Sequence, residues 1–403
     1  LQNWSRFYQV IAQCNLILQN VPKMASSLFS SESARNAYLG EALFVRAYTY
    51  FYITRVWGDP VYVSATYDDV DYGKIPPLAR TAESKVLDSC IADLKKAAND
   101  LSYTGGDPSN ATRANKGSVY ALLAHIYAWR HDYANAHAAC QEVINNGGYS
   151  LEPMSSYPNI WKGGLSSESI FELSMKFNPN DPNFTSGNDW AEAQFDFFGK
   201  TFLKGSYVNN VNSSCWISLK GGFIDQFMDT AVDKRYKAVL TYVSASGNDK
   251  AGYLMLKYSN FNYKDPDKKS YPYIDNNLVL FRLSDIYLLD AEALASTGDL
   301  AGARDALSKT EIRAGITNYQ NPTNQYDMLD EIIAERGREL IGEGQWFYDL
   351  IRTEAAQQWL EYVGYKSDRI SAANKGYYWP LDMGTLFPQD NLLTQNPWWA
   401  THK

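Results

Sequence analysis

Apolar residues over the first 150 positions recur every three or four residues, the spacing that gathers them on one face of a helix. Trp4, Phe7, Tyr8, Ile11, Cys14, Asn15 and Leu18 form such a stripe across residues 1–21, and Pro22 follows its end. The most marked stretch is Glu41–Val63, EALFVRAYTYFYITRVWGDPVYV, in a helix that follows a Ser-rich loop, Ser26–Ser33. Leu39, Ala42, Leu43, Ala47, Tyr50, Phe51 and Thr54 share one face of it. Tyr48, Tyr50, Phe51 and Tyr52 spread rings over other sides, so this helix is expected to have neighbours on several sides. It should stop at Trp57-Gly58-Asp59-Pro60, because Gly58 can take positive φ and Pro60 drives Asp59 out of the α region. Thr81 reads as the N-cap of a helix running to about Leu101, striped by Val86, Leu87, Cys90, Ile91, Leu94 and Ala98.

A pair of helices follows at about 114–130 and 133–146, and a second at about 284–297 and 300–314. The pairs resemble each other: DYANAHAAC (Asp132–Cys140) keeps step with DLAGARDAL (Asp299–Leu307) in Asp, Ala and apolar positions. Small Ala residues at those steps let antiparallel helices approach closely, as in tetratricopeptide-type hairpins. Further helices are expected at about 327–341 and 345–360. Between Leu151 and Phe281 the helical period fails. Runs such as NPNDPNF (Asn178–Phe184), NNVNSS (Asn209–Ser214) and DPDKK (Asp265–Lys269) punctuate it, with short alternating pieces at Ile170–Met175 and Val239–Val243 that read as strands.

Composition sharpens the picture in one respect. Among 403 residues, 30 are Tyr and 11 are Trp, and many of these rings fall in or beside the long middle loops: Trp161, Trp190, Trp216, Tyr207, Tyr242, Tyr253, Tyr263, Tyr271 and Tyr273. Loops this long on a compact scaffold carry function, and so many large rings argue against disorder. A net charge of −8 argues against nucleic acid and anionic membrane surfaces. No run of 18 apolar residues is present, and the chain opens inside a helical pattern without a leader, so Leu1 is read as lying downstream of the biological start. Cys14, Cys90, Cys140 and Cys215 show no CxxC spacing, and the first three fall on apolar helix faces as small buried hydrophobes.

Chemistry-bearing motifs are scarce. The four His residues (His125, His131, His137, His402) form no metal spacing, and no GxSxG, P-loop or dinucleotide fingerprint occurs. Glu331, Glu335, Glu339 and Glu343 share helical spacing with Arg336 and Arg338, which reads as a salt-bridged scaffold rather than a hydrolytic carboxylate pair. Asp265/Asp267 and Asp68/Asp69/Asp71 offer oxygens to Ca²⁺ in principle, but without EF-hand spacing they read as solvated loop acids, and no cofactor is expected. Rings beside Asn, Asp and Gly suit stacking on the apolar faces of sugars, and suit a peptide almost as well.

Four segments resemble the SusD/RagB family, surface glycan-binding lipoproteins of Bacteroidota nutrient-uptake systems. They are Trp4–Pro22; Glu41–Val63 with its A-x-F-V-R-A…W-G-D-P run; Ala111–Leu151; and a C-terminal set. That set comprises Leu280–Asp299, Ile312–Ile316, Ile332–Arg352 and the closing LTQNPWW, Leu393–Trp399. The resemblance implies a mostly α fold, a tetratricopeptide-like helical-hairpin scaffold with a loop-rich, aromatic ligand-binding face. Residues 1–150 and 282–360 are then scaffold, 151–281 a ligand-binding insertion, and 361–403 a C-terminal segment packed on the scaffold. It further implies a non-catalytic lid on a SusC-like TonB-dependent outer-membrane transporter, held at the extracellular face by a lipid anchor outside this sequence. The rings expected to form the glycan platform are Tyr67, Trp190, Trp216, Tyr263, Tyr271 and Tyr273. The alternatives are a peptide-capturing RagB-like lid, a glycoside hydrolase using acids such as Asp189, Glu192 or Asp196, and a tetratricopeptide-type adaptor, which would present an aromatic-poor surface.

Overall fold

The computed structural model describes residues 3–66, 77–175, 227–245, 251–265, 276–317, 321–360, 364–371 and 373–402, together with 219, 224, 267 and 270–274; at 264, 265, 270–274 and 367 it describes the backbone alone. The chain forms two compact units: residues 1–103, 114–142 and 347–403 make the first, and 104–113 and 143–346 the second.

The first unit begins with α1 (Ser5–Asn20), α2 (Glu32–Trp57), α3 (Glu83–Asp100) and α4 (Lys116–Trp129). The Ser31 hydroxyl caps α2 by accepting from the Ala34 N–H at 3.0 Å, so the helix starts within the Ser-rich stretch expected as loop. It ends at Gly58, whose φ of 76° and N–H donation to the Thr54 carbonyl close the last turn. Phe44, Ala47, Tyr50, Phe51 and Ile53 are buried, and α2 packs against both α1 and α3, as rings on several sides require. Inside that packing Arg46 presents a two-pronged fork to Asp93, both bonds 2.8 Å, and a third bond to the Asn15 amide oxygen.

The exit from α2 is clasped by two phenols. Tyr8 Oη donates to the Val61 carbonyl and accepts its N–H, each at 2.8 Å. Tyr50 Oη does the same with Val63, at 2.9 and 2.7 Å. Burial pushes both phenols above their ordinary range, so both remain neutral and able to donate. Thr81 does not cap α3. Ala82 holds that position without a side-chain bond, and Asp59 reaches from the preceding turn to accept the Glu83 N–H at 2.8 Å. Helix α4 opens with a reciprocal Asn115–Ser118 capping box. After α4, α5 (Tyr133–Asn146) buries Ala136, Ala139, Cys140 and Val143.

In the second unit, β1 (Ser169–Leu173) pairs antiparallel with β6 (Leu278–Arg282). Between them lie α6 (Lys234–Val239), the hairpin of β2 (Leu240–Val243) with β3 (Gly252–Met255), and the hairpin of β4 (Phe261–Asp265) with β5 (Ser270–Ile274). The expected strands at 170–175 and 239–243 are thus β1 and β2. Helices α7 (Leu283–Ser296), α8 (Leu300–Ala314) and α9 (Gln325–Glu339) complete the unit. Leu288, Ala291, Ala295, Ala303, Ala306, Leu307, Met328 and Ile332 form their core. Ala303, Ala306 and Leu307 are the positions that keep step with buried Ala136, Ala139 and Cys140, so the internal repeat marks the helix faces that bury.

The chain then returns to the first unit through α10 (Trp346–Arg352) and α11 (Ala356–Leu360). The single helix expected over 345–360 is broken because Glu354 takes φ 60°. Two short helices, α12 (Ser367–Ile370) and α13 (Pro397–Thr401), follow. The returning segment is tied in by the Trp379 N–H on the Val56 carbonyl at 2.8 Å and by Arg80, which donates to the carbonyls of Trp57, Asp59 and Thr394. Cys14, Cys90 and Cys140 are buried thiols outside any disulfide; Cys215 lies outside the described residues.

Candidate functional site

A buried cluster of charged side chains ties α6, β6, α8 and α9 of the second unit together. Glu339, at the end of α9, is fully buried and accepts from Arg235 at 2.9 Å, Arg282 at 2.5 Å, Arg313, and the Tyr157 hydroxyl at 3.1 Å. Glu335, one turn earlier, accepts from Arg235 at 2.7 Å, Arg338 at 2.8 Å and the Thr310 hydroxyl at 2.7 Å. Glu168, just before β1, takes Arg282 and Arg313, each at 2.8 Å. Glu343 takes Lys257 at 2.6 Å and Arg282 at 2.8 Å. Burial works to raise Glu339, yet the guanidinium groups of Arg313, Arg282 and Arg235 hold it well below the usual carboxylate range. Burial pulls the Lys257 ammonium down to about 8. The acids at helical spacing are therefore scaffold, as their arginine neighbours imply. Glu168, Glu335, Glu339 and Glu343 are each committed to two or more cations or donors, and Glu331 to Arg338 at 2.7 Å, an arrangement that suits structural ion pairs rather than a hydrolytic acid or base.

The rings of the middle region sort by burial. Trp161 is fully buried in a cluster with Tyr157, Ile160, Val239, Leu240, Met255 and Tyr258, with the Lys257 ammonium 4.6 Å from its ring centre. It is a packing ring. Tyr242 and Tyr253 are cross-strand partners on the β2–β3 hairpin, with rings edge to face at 5.3 Å. Tyr236 of α6 meets Tyr253 in turn, at 5.8 Å between rings and 3.2 Å between hydroxyls. Leu240 sits over the buried cluster while Tyr242, two residues on, is 57% exposed and rests on Tyr253. These three rings run from the core to the surface. Tyr242 belongs to the ring-rich set but not to the six platform rings chosen from the sequence. Its signal is an aromatic in a short alternating run followed by SASGND, a stretch rich in turn-forming residues.

Of the expected platform rings, Tyr263 is on β4, half-buried against the same cluster, edge to face with Phe261 at 5.9 Å. It pairs with Pro272, so Tyr271 and Tyr273 flank its partner on β5, where the backbone alone is described. Tyr67, Trp190 and Trp216 lie outside the described residues, as do Asp68, Asp69, Asp71, Asp189, Glu192 and Asp196. Asp267 is exposed, and among the described residues no group of three His, Cys, Asp or Glu side chains is placed to hold a metal ion.

Comparison with known proteins places this geometry. Residues 167–399 match the family described as the SusD family, and residues 1–128 match one described as starch-binding and associating with the outer membrane. A SusD-like protein of Formosa agariphila is 26% identical over 433 residues, an overlap covering 98% of this chain and 79% of that protein. A SusD-like protein of Bacteroides ovatus is 26% identical over 411 residues, covering 91% and 69%. Among solved structures, a SusD homolog from Bacteroides thetaiotaomicron superposes with a TM-score of 0.77 at 27% identity, covering 99% of this chain and 83% of that one. A laminarin-binding SusD-like protein gives a TM-score of 0.77 at 21% identity, covering 98% and 85%, a likeness of fold.

Proposed function

The chain belongs to the SusD family, and from that premise we propose that it captures an oligosaccharide without cleaving it and hands it to a TonB-dependent outer-membrane transporter. The observation that carries this reading is the match of residues 1–128 to a family described as starch-binding and associating with the outer membrane. The aromatic run from Tyr236 through Tyr253 to Tyr242 supports it, since exposed rings beside polar loop residues suit the apolar faces of sugars. So does the commitment of the buried acids to ion pairs, which removes them from hydrolytic work.

In this reading the helical segments 1–150 and 282–360 are scaffold, 361–403 packs on them, and 151–281 carries the ligand face, with Tyr67 joining it from the loop after α2. Trp190, Trp216, Tyr263, Tyr271 and Tyr273 stack on sugar rings, and loop Asn and Asp side chains meet the hydroxyls. No described helix is long and apolar enough to cross a membrane. One open platform gives an affinity on the order of µM to mM, about −8 to −4 kcal/mol, and docking on the transporter supplies closure over the cargo.

The test is a single screen. The purified chain is examined by affinity electrophoresis and calorimetry against starch, laminarin, levan, xylan, mannan, N- and O-glycans and a peptide digest, with product release assayed in parallel. Binding to one glycan class without turnover, weakened in the Trp190→Ala/Trp216→Ala variant, is expected. Turnover overturns the reading in favour of a hydrolase, and binding to peptides alone in favour of a peptide-capturing lid.

A further inference from the structure

Two helical hairpins in this chain close in the same way. At the α7–α8 turn the Asp299 N–H donates to the Leu294 carbonyl at 2.9 Å and the Gly298 N–H to Ala295 at 3.1 Å. At the α4–α5 turn Asp132 donates to Tyr127 and His131 to Ala128, both at 2.9 Å. This closure needs a left-handed residue, and glycine fills the place without steric cost. Gly298 does so at φ 94°, as does Gly315 at φ 87° after α8. The α4–α5 turn instead uses His131 at φ 58°. Two more described non-glycine residues have positive φ, Glu354 at 60° and Lys375 at 47°.

All three line one hollow of the first unit, about 380 Å³, walled by Trp129, Tyr377 and Tyr378. A second hollow of about 410 Å³, bordered by Asp59, Ser84 and Arg130, shares Glu83, Trp129 and Lys375 with it, so the two are neighbours with a common wall. The walls are fixed. Glu83 accepts from Trp129 Nε1 at 2.5 Å and from the Tyr378 hydroxyl at 2.8 Å. His131 Nε2 is bonded to the Arg352 carbonyl at 2.7 Å, and its ring stacks on Tyr133. Burial, with Glu83 nearby, pushes the Tyr377 phenol up to about 12, which keeps it a neutral donor. Against these fixed walls, the exposed heads of Glu354 and Lys375 have no hydrogen-bond or ion-pair partner among the described residues. Backbone in a costly conformation thus sets an unpartnered acid and an unpartnered amine at the rim of one aromatic groove. Such conformations persist only where the surrounding structure over-determines them, and they cluster at functional sites, ligand clamps among them.

We propose that this groove is a second glycan-binding site, carried by the first unit and taking two linked sugar rings of an uncharged oligosaccharide. The proposal rests on the glycan-binding reading above. Two hollows sharing a wall fit a chain of linked units. The rings of Trp129 and Tyr377 suit the apolar faces of the sugars. Sugar hydroxyls both donate and accept, so they use Glu354, Lys375 and Gln357 together, whereas a ligand of one charge would face a like charge in the same groove.

The experiment is calorimetry with maltoheptaose, laminarihexaose, xylohexaose and mannohexaose on the intact chain and on Glu354→Gly/Lys375→Gly. Glycine suits both backbone positions, so the melting temperature of the variant is expected to hold or rise while one of two binding sites per chain weakens tenfold or more. Trp190→Ala/Trp216→Ala, assayed alongside, is expected to leave that site intact. A single site unchanged by Glu354→Gly/Lys375→Gly overturns the groove proposal and leaves the glycan reading standing. Binding of none of the four overturns the proposal and, with the polysaccharide screen also silent, the reading beneath it.

Discussion

Each unit of this protein collects charged side chains, and the two collections obey opposite rules. In the second unit Glu168, Glu335 and Glu339 have no exposed side-chain surface, Glu343 almost none, and each takes two or more partners from Arg235, Arg282, Arg313, Arg338 and Lys257. In the first, Glu354 and Lys375 stand exposed on left-handed backbone and meet no partner among the described residues. Burial explains the first pattern. A charge taken out of water is tolerated only when paired, so each member of the cluster specifies the others. Nothing in folding demands the second pattern, and glycine would be the easier residue at both places. Charge that the fold requires and charge that the fold merely tolerates are thus separable by exposure and backbone.

The contrast breaks most readily at Glu339. Glu339→Ala leaves Arg235, Arg282 and Arg313 facing one another without their shared acceptor, and is expected to lose about 3–5 kcal/mol of stability in urea unfolding. Glu354→Ala in the same assay should stay within about 0.5 kcal/mol. Equal losses would erase the distinction.

Acid titration sharpens it. Glu335 and Glu339 are held below their ordinary range in the fold, so their contribution is complete above the unfolded value of about 4.3 and is lost as pH falls through the folded values. The melting temperature should fall below about pH 4.3, and less steeply in Glu339→Ala. On the alkaline side Lys257 titrates at about 8 in the fold but at its ordinary 10.5 when unfolded. Between these values the unfolded chain binds the proton that the fold has shed. Lys257 therefore adds stability as pH rises from about 8, and Lys257→Met should remove that increment.

The two hairpin turns give the smallest effects. Gly298→His imposes on the α7–α8 turn the backbone cost that His131 already bears, about 1–2 kcal/mol. His131→Gly relieves that cost but gives up the bond to Arg352, worth about 0.5–1.5 kcal/mol, so thermal melting should show a net change near zero.

The hairpins were legible because period and small residues coincide: Ala303 and Ala306 bury where the repeat places them, and Gly58 ends α2 where Gly-Asp-Pro announces it. What escaped the sequence is long-range. Thr81 has the chemistry of a cap, but Asp59 reaches the helix start first. Residues 345–360 keep a helical period with no glycine or proline to break it, and the break falls at Glu354. The spacing of Glu331, Glu335, Glu339 and Glu343 announces ion pairing, but not that Arg282 comes to Glu339 from 57 residues away. Ring composition pointed to a binding surface without separating Trp161, which packs, from Tyr242, which is exposed. The groove in the first unit has no local signature, because its walls come from α3, α4 and the segments after α10.

The hydrogen bond from Tyr157 to Glu339 spans 182 residues. On a ribosome adding roughly 5–20 residues per second, the acceptor follows the donor by about 10–40 s. Within that interval Arg235, Arg282 and Arg313 are made in turn, ahead of their common counter-charge. A nascent second unit therefore carries these arginines before the helix that brings their shared acids. A ribosome stalled before residue 335 holds a chain that has Glu168 but neither Glu335 nor Glu339.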